Sequence, residues 1–329
     1  MALKVGKVPR DVLSNVLSVI DWTSDRSVLL GPGEGLDAAV IEINGKKLVM
    51  ASDPVTGAGS RAGFYAVHVN ANDVAVLGAR PRWMLLTILL PKGSEAEEAV
   101  KIERDAVGAA SPLGVTVVGG HTEVTPGLRN PIVSGAMVGT VEKTLVLPNG
   151  ARQGDVILVT KWIGLEGTSI VAWHKREDLS KEFGRKFVRR ALGFSGMVSV
   201  VREALKAAEL GVNAMHDPTE GGLANGLHEM ADAAGVGFRI WEDKIPLREE
   251  TIKICEFYDL DPLSLLSSGS LLISAPKDLV PSLTREIKKL GIKITVIGEF
   301  TREGRTIVRN GVEHELPRPE MDEVWKIVG

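Results

Sequence analysis

The sequence predicts two α+β domains, and three observations lead there. The chain has 329 residues, about twice the ~150 of a typical domain. Strand-like apolar runs alternate with helix-like periodic segments in both halves. A turn-rich stretch, Leu147-Pro-Asn-Gly-Ala-Arg-Gln-Gly154, lies between two apolar strands and divides the chain into residues 1–150 and 151–329.

The elements of the first half follow in order. A helix is predicted near Arg10–Ile20, then a Gly-rich loop, Gly31-Pro-Gly-Glu-Gly35. Strands Ala38–Ile43 and Leu48–Ser52 flank Asn44-Gly45, the dipeptide that most strongly signals a hairpin. A helix near Ala62–Gly78 precedes strand Trp83–Leu90. That strand is apolar on consecutive positions, so it is expected to need cover on both faces. A helix capped by Ser94 runs to about Ala110, and strands Val115–Val118 and Ile132–Val141 close the half. The second half reads as strand Val156–Thr160, helical segments over 166–191 and 197–210, and a helix after Asp217. It continues with strand Gly237–Trp241, helix Arg248–Tyr258, strand Ser270–Ser274 and helix Lys277–Leu290. Strands Lys293–Phe300 and Thr306–Arg309 finish it.

Composition removes several function classes. Lys and Arg total 39 against 42 Asp and Glu, a net charge of −3, so no global field holds nucleic acid or an anionic membrane. No apolar run approaches the ~20 residues that span a bilayer. Met1–Arg10 holds no apolar block with a cleavage site, and a cytoplasmic protein is expected. The single cysteine, Cys255, permits no internal disulfide. Scarce Cys and Gln beside abundant charge fit a thermophilic origin.

Neither common nucleotide motif is present. No G-x-x-x-x-G-K-[ST] occurs, and the Gly31–Gly35 run precedes a strand, where a dinucleotide fingerprint requires a helix. Polar residues collect elsewhere. Asp37 follows the Gly-rich loop and Asp53 follows a strand; each reads as a turn former or as an oxygen ligand for Mg²⁺. In the apolar helix Val67–Gly78, Asn70 and Asp73 share a face, and Asn72 lies on that of His68. Buried polar groups require partners, so these form a structural network or meet a ligand. Gly119-Gly120-His121-Thr122-Glu123 is placed at a strand end, where α/β proteins seat ligands. In Met215-His-Asp-Pro-Thr-Glu-Gly-Gly222, Asp217, Pro218 and Glu220 suit a capping box, while Gly221-Gly222 suit an anion site. Spacing alone does not choose between the two.

As a set, these motifs resemble the aminoimidazole ribonucleotide (AIR) synthase superfamily over nearly the whole chain. Gly-Glu-Gly-Leu-Asp37-Ala-Ala-Val is similar to the family's Gly-Asp-Asp-Ala-Ala-Val, and Ser52-Asp53-Pro to the aspartate that follows it. Asn72-Asp73-Val-Ala-Val-Leu-Gly-Ala-Arg-Pro81 and Gly119-Gly-His-Thr-Glu123 resemble its next two motifs. His216-Asp-Pro-Thr-Glu-Gly-Gly-Leu-Ala224 is similar to the hydrogenase-maturation (HypE) branch. The resemblance implies a two-domain PurM-like fold. Its N-terminal ferredoxin-like domain would pair in a homodimer that builds a shared β-barrel.

The resemblance also implies ATP and Mg²⁺, a small-molecule substrate activated at an oxygen, and a maturation-type protein partner. Nucleotide contacts would fall to Asp53, Asn70, Asn72, Asp73, Gly119, Gly120, Thr122, Asp217, Gly221 and Gly222. Metal contacts would fall to Asp37, Asp53, Asp73 and Glu123. Three departures stand out. HypE's C-terminal carrier cysteine has no counterpart in Trp325-Lys-Ile-Val-Gly329, so its cysteine-borne cyanide-forming reaction is not expected. Glu220 replaces a HypE arginine, and Ser267-Ser-Gly-Ser270 replaces Ala-Asn-Glu-Gly. A second reading keeps the fold without catalysis, as a scaffold or regulatory nucleotide-binding protein.

Overall fold

A computed structural model describes residues 6, 8–33, 35–56, 58 and 61–328. The chain divides into two compact units. The smaller is Asp21–Pro32 with Asp37–Leu145; the larger is Met1–Ile20 with Gly33–Leu36 and Val146–Gly329. The first helix, α1 (Arg10–Leu17), and a piece of the Gly-rich loop thus belong with the C-terminal half, which a division at residue 150 does not anticipate.

The smaller unit contains β1 (Val28–Leu30), β2 (Ala39–Ile43), β3 (Lys46–Val55), α2 (Ala62–Val76), β4 (Ala79–Pro91), α3 (Ala96–Ala110), β5 (Thr116–Thr125) and β6 (Ile132–Val141). They form one six-stranded sheet in the order β1-β2-β3-β6-β4-β5. Only the β4–β5 pair is parallel. Asn44 and Gly45 both have positive φ, 51° and 73°, as a two-residue hairpin turn requires. Helix α2 is buried along most of its length and packs on β3, β4 and β6. Helix α3 packs behind it and starts at Ala96, with Glu95 at the cap and no side-chain cap bond; Ser94 is not the cap.

Strand β4 is covered on one face within its unit: Met84, Leu86, Ile88 and Leu90 are buried, whereas Trp83 and Leu85, on the face expected to meet a second copy, are 45% and 51% exposed. One expectation changes here. Strand β5 runs past Val118 through the Gly119–Glu123 segment, because parallel pairing with β4 carries it to Thr125. The glycines serve the ladder and not a turn: a Cβ on Gly120 would lie 1.8 Å from the Leu86 carbonyl oxygen.

The larger unit adds β7 (Val156–Thr160), α4 (Leu165–His174), α5 (Arg176–Phe183), α6 (Arg185–Leu192), α7 (Val201–Leu210), β8 (Ala214–His216), α8 (Gly222–Ala234) and β9 (Gly237–Trp241). Next come α9 (Glu249–Tyr258), β10 (Leu272–Ala275), α10 (Val280–Lys289), β11 (Ile294–Thr301), β12 (Arg305–Arg309), β13 (Val312–Glu315) and α11 (Trp325–Val328). Its seven-stranded sheet has the order β13-β12-β9-β11-β7-β10-β8. The helical segments expected over 166–191 are three helices, broken at Lys175 and at Gly184, whose φ is +85°. The expected helix over 197–210 begins only at Val201. One core packs Ile157, Val159, Phe238 and Phe300 beneath Leu223, Leu227 and Met230 of α8. A second joins Val171, Leu179, Phe187, Ile254, Cys255 and Val324.

Candidate functional site

In the smaller unit, Asp53 lies in β3 beyond the last β2 pair, Ala39 with Met50, so β3 has an open edge there. The Asn70 side chain occupies the edge in place of a strand. Its Oδ1 accepts the Asp53 N–H at 2.9 Å, and its Nδ2 donates to the Asp53 carbonyl at 3.2 Å and the Ala66 carbonyl at 2.8 Å. Both Nδ2 hydrogens are therefore spent on backbone, and Asn70 is a residue that positions Asp53. Gly135 makes room for it, since a Cβ there would lie 2.7 Å from Asn70 Nδ2.

Asp53 is exposed and Asp37 half-buried, and the register puts them at the same end of the β2–β3 pair. Asn72 and Asp73 are buried within α2. Glu123 is elsewhere. The row Asp53–Gly135–Leu86–Gly120 crosses three strand spacings, about 14 Å at ~4.8 Å each. Glu123 lies three residues further along β5, on a different strand from Asp53 and not beside it. Gly119, Gly120 and Thr122 are on the same distant, exposed strand. Glu123 accepts from the Thr125 hydroxyl at 2.8 Å and pairs with His121 at 3.1 Å. The two contacts, Thr125 first, hold its carboxyl below the usual range. Among the described residues no three His, Cys, Asp or Glu side chains gather as a ready cation site.

In the larger unit the Asp217–Gly222 segment follows β8 and leads into α8. No capping box forms. Helix α8 begins at Gly222 with Gly221 at the cap, and the carboxylate that meets it belongs to Asp322. Asp322 Oδ2 accepts the Gly221 N–H at 2.7 Å, and Oδ1 accepts the Val324 N–H at 2.8 Å. The Leu266 N–H bonds to the same carboxylate. The Gly222, Ala224 and Asn225 N–H groups bond to the carbonyls of Thr219, Leu263 and Gly221. The Gly221 and Gly222 N–H groups, expected at a phosphate, are engaged within the chain here. Glycine is required at 222 because φ is +59° and a Cβ would lie 2.5 Å from the Leu265 carbonyl oxygen. Glu220 is half-buried and accepts from Trp325 Nε1 at 3.3 Å.

A polar chain runs along α8. His216 Nε2 meets Glu229 at 2.9 Å, Asn225 Nδ2 donates to Glu229 at 3.1 Å, and Arg318 Nε donates to Asn225 Oδ1 at 3.1 Å. Arg318 and Arg305 both pair with Asp232. Arg305 donates to His228 Nδ1, which leaves His228 Nε2–H to donate to the Leu316 carbonyl. Burial, with Arg305 and Arg318 nearby, holds His228 below the usual imidazole range. Gly35 packs on this helix: a Cβ there would lie 3.5 Å from Glu229 Cβ.

Sequence reasoning missed the acids beneath this loop. Glu166, in the first turn of α4, is pushed up to about 7 by burial; the Ser268 hydrogen bond opposes that rise and the Asp322 charge adds to it. Asp322 is raised to about 6, again by burial, against its three N–H bonds. Lys161, just after β7, has φ +55° and places its ammonium 2.6 Å from Glu203 and 2.6 Å from the Ser199 carbonyl. Burial lowers its pKa, and Glu203 opposes that shift. The serines that replace the family's acidic segment tie turns together. Ser267 Oγ accepts the Gly164 N–H at 2.8 Å, and Ser270 Oγ donates to the Trp162 carbonyl at 2.7 Å. Cys255 is buried, its thiol pushed to about 12 by burial, and behaves as a small hydrophobe. Isolated Asp or Glu residues in sequence carry no mark of such burial, and the only local signal was the positive-φ glycine pair.

Comparison with known proteins places both halves. Residues 35–141 match the model of the AIR synthase related protein, N-terminal domain, and residues 152–310 that of its C-terminal domain. The chain is 30% identical to a protein of Methanocaldococcus jannaschii named for hydrogenase expression and formation, over 95% of this chain and 96% of that one. It is 31% identical to the carbamoyl dehydratase HypE of Rhizobium leguminosarum bv. viciae, over 84% of this chain and 79% of that one. Two solved structures of HypE have the same fold at 23% identity. One, in complex with ATP, has a TM-score of 0.74 and covers 98% of both chains. The other, from a HypE–HypF complex, has a TM-score of 0.76 and covers 94% of this chain and 100% of that one.

Proposed function

The chain belongs to the AIR synthase related protein family, and from that premise we propose that it is a HypE-like enzyme that binds Mg²⁺·ATP and activates an oxygen of a small molecule. The observation that carries the proposal is the Asn70-held Asp53 beside Asp37. Mg²⁺ takes hard oxygen donors and is commonly bound by one or two carboxylates together with nucleotide phosphates. Two acids at one sheet end fit that pattern without a third. Bound Mg²⁺·ATP supplies a phosphoryl group, which turns a poor leaving oxygen into a good one. The protein's part is to bind and orient. Asn70 fixes the backbone of Asp53, so its carboxylate projects from a rigid edge, and Asp37 adds a second charge at that end. The proposal extends to a homodimer and, by likeness to the HypE–HypF complex, to a maturation-type protein partner.

Calorimetric titration with Mg²⁺·ATP tests the reading. Asp53→Asn should weaken binding by about tenfold or more, in keeping with the 10–100-fold losses seen when a metal site is disturbed, while its melting stays cooperative. Unchanged affinity, or no binding by the parent protein, leaves the scaffold reading in its place.

A further inference from the structure

Helix α6 carries a charge arrangement that its own fold does not use. It holds Arg185, Lys186, Arg189 and Arg190 and no acid, while Phe187, Val188 and Ala191 are buried. All of these cations are exposed. Arg185 with Arg189, and Lys186 with Arg190, stand four apart, the spacing at which like charges destabilise a helix. Arg185 and Lys186 also sit in the first turn, where the helix dipole opposes a cation. Glu250 answers Arg190. Arg185, Lys186 and Arg189 make no ion pair among the described residues, and neither do Lys175 and Arg176 where α5 begins. Other helices of this unit pair their cations within a turn: Lys206 with Glu209, Lys253 with Glu249, Lys289 with Glu286. An apolar anchor lies beside the basic face. Phe183 ends α5 next to Gly184 and Arg185, and Phe257 of α9, 45% exposed, meets its ring edge-on at 5.7 Å.

We propose that the outer face of α6, with Phe257 at its edge, docks an acidic segment of a partner protein. Charge complementarity names the occupant, because a face kept cationic against the helix's own stability is matched by carboxylates from outside. Arg185 and Arg189 each present a planar fork that takes a carboxylate through two N–H donors. One helix turn separates them, about 5–6 Å, close to the ~6.6 Å between alternate residues of an extended peptide. Phe257 offers an aromatic surface to an apolar side chain of the same segment. A nucleic acid or an anionic bilayer fits less well. Either would extend past α6 onto Glu177, Asp178 and Glu182 of α5, all exposed, and would meet a chain of net charge −3. A short acidic segment reaches α6 and stops. None of these residues enters the nucleotide reading, so the two stand or fall separately.

Fluorescence anisotropy of the full chain with a labelled peptide, Phe-Glu-Ala-Glu-Ala-Glu-Gly, tests the proposal. The peptide should bind, and its affinity should fall severalfold between about 50 and about 200 mM salt. A peptide with Gln in place of each Glu should bind about tenfold more weakly or worse. Arg185→Glu with Arg189→Glu should cost about tenfold or more. The same change of net charge in the smaller unit, Lys46→Glu with Lys92→Glu, should cost less than about twofold. Arg185→Glu alone separates docking from folding. It gives the helix start an acid and gives Arg189 a partner four residues back, so the melting temperature should not drop, yet binding should weaken by about threefold or more. This single variant takes the place of the double one if the latter does not melt cooperatively. Phe257→Ser should weaken the peptide and leave its salt dependence unchanged. A parent protein that ignores the peptide, or one whose affinity the α6 reversals do not move, overturns the proposal. So does a single-stranded oligonucleotide or a phosphatidylserine vesicle that binds more tightly than the peptide and is lost with the same variants.

Discussion

Glu166 and Asp322 hold protons where carboxyls ordinarily do not, at about 7 and about 6 against ordinary values of 4.5 and 3.8. Between those limits the folded chain binds more protons than the unfolded one. The stability these groups contribute is therefore full at acid pH and is lost as pH rises through 7. Glu166→Gln removes that titration and keeps a partner for Ser268. It should stabilise the protein at pH 8 by up to about 3 kcal/mol, at ~1.36 kcal/mol per pKa unit, and by almost nothing near pH 4. Urea unfolding across that range checks it; a difference that stays constant with pH would refute the account. Asn70 offers the complementary lesson at this scale. An amide in an apolar helix looks like a ligand, yet its donors and acceptor close on the Asp53 and Ala66 backbone.

Two helix glycines separate packing from propensity at the scale of elements. Gly63 in α2 lies so near α3 that a Cβ would sit 2.2 Å from the Ile102 carbonyl oxygen. Gly63→Ala must push the helices apart, at roughly 1–3 kcal/mol for overpacking. Gly108 in α3 has nothing within 4 Å of its Cβ position, so Gly108→Ala should gain about 0.5–1 kcal/mol of helix propensity. Chemical denaturation of the two variants should move in opposite directions, and a shared sign would show that α2 and α3 do not pack as described.

At the scale of the whole molecule, the open face of the smaller sheet needs an occupant. Met50, Trp83 and Leu85 are exposed there, and Val138 is paired with both Met50 and Trp83. A face of this kind invites self-association, and a second copy of the chain is the occupant we propose. Light scattering at micromolar concentration should give a dimer, and Leu85→Arg should shift it toward monomer without unfolding. A parent protein that stays monomeric refutes the proposal. No described helix is long and apolar enough to cross a membrane.

The alternation of elements, the Asn44-Gly45 hairpin, the apolar stripe of α8 and the family motifs were all legible in the residues, because each is written in local periodicity and turn chemistry. Tertiary structure decided the rest. It extended β5 through a segment that reads as a turn, since a neighbouring strand supplied the ladder. It gave the α8 cap to Asp322 and bonded both glycine N–H groups within the chain. A buried N–H must be paired, but the partner is whichever group the packing brings near. Across 101 residues no local pattern names that partner.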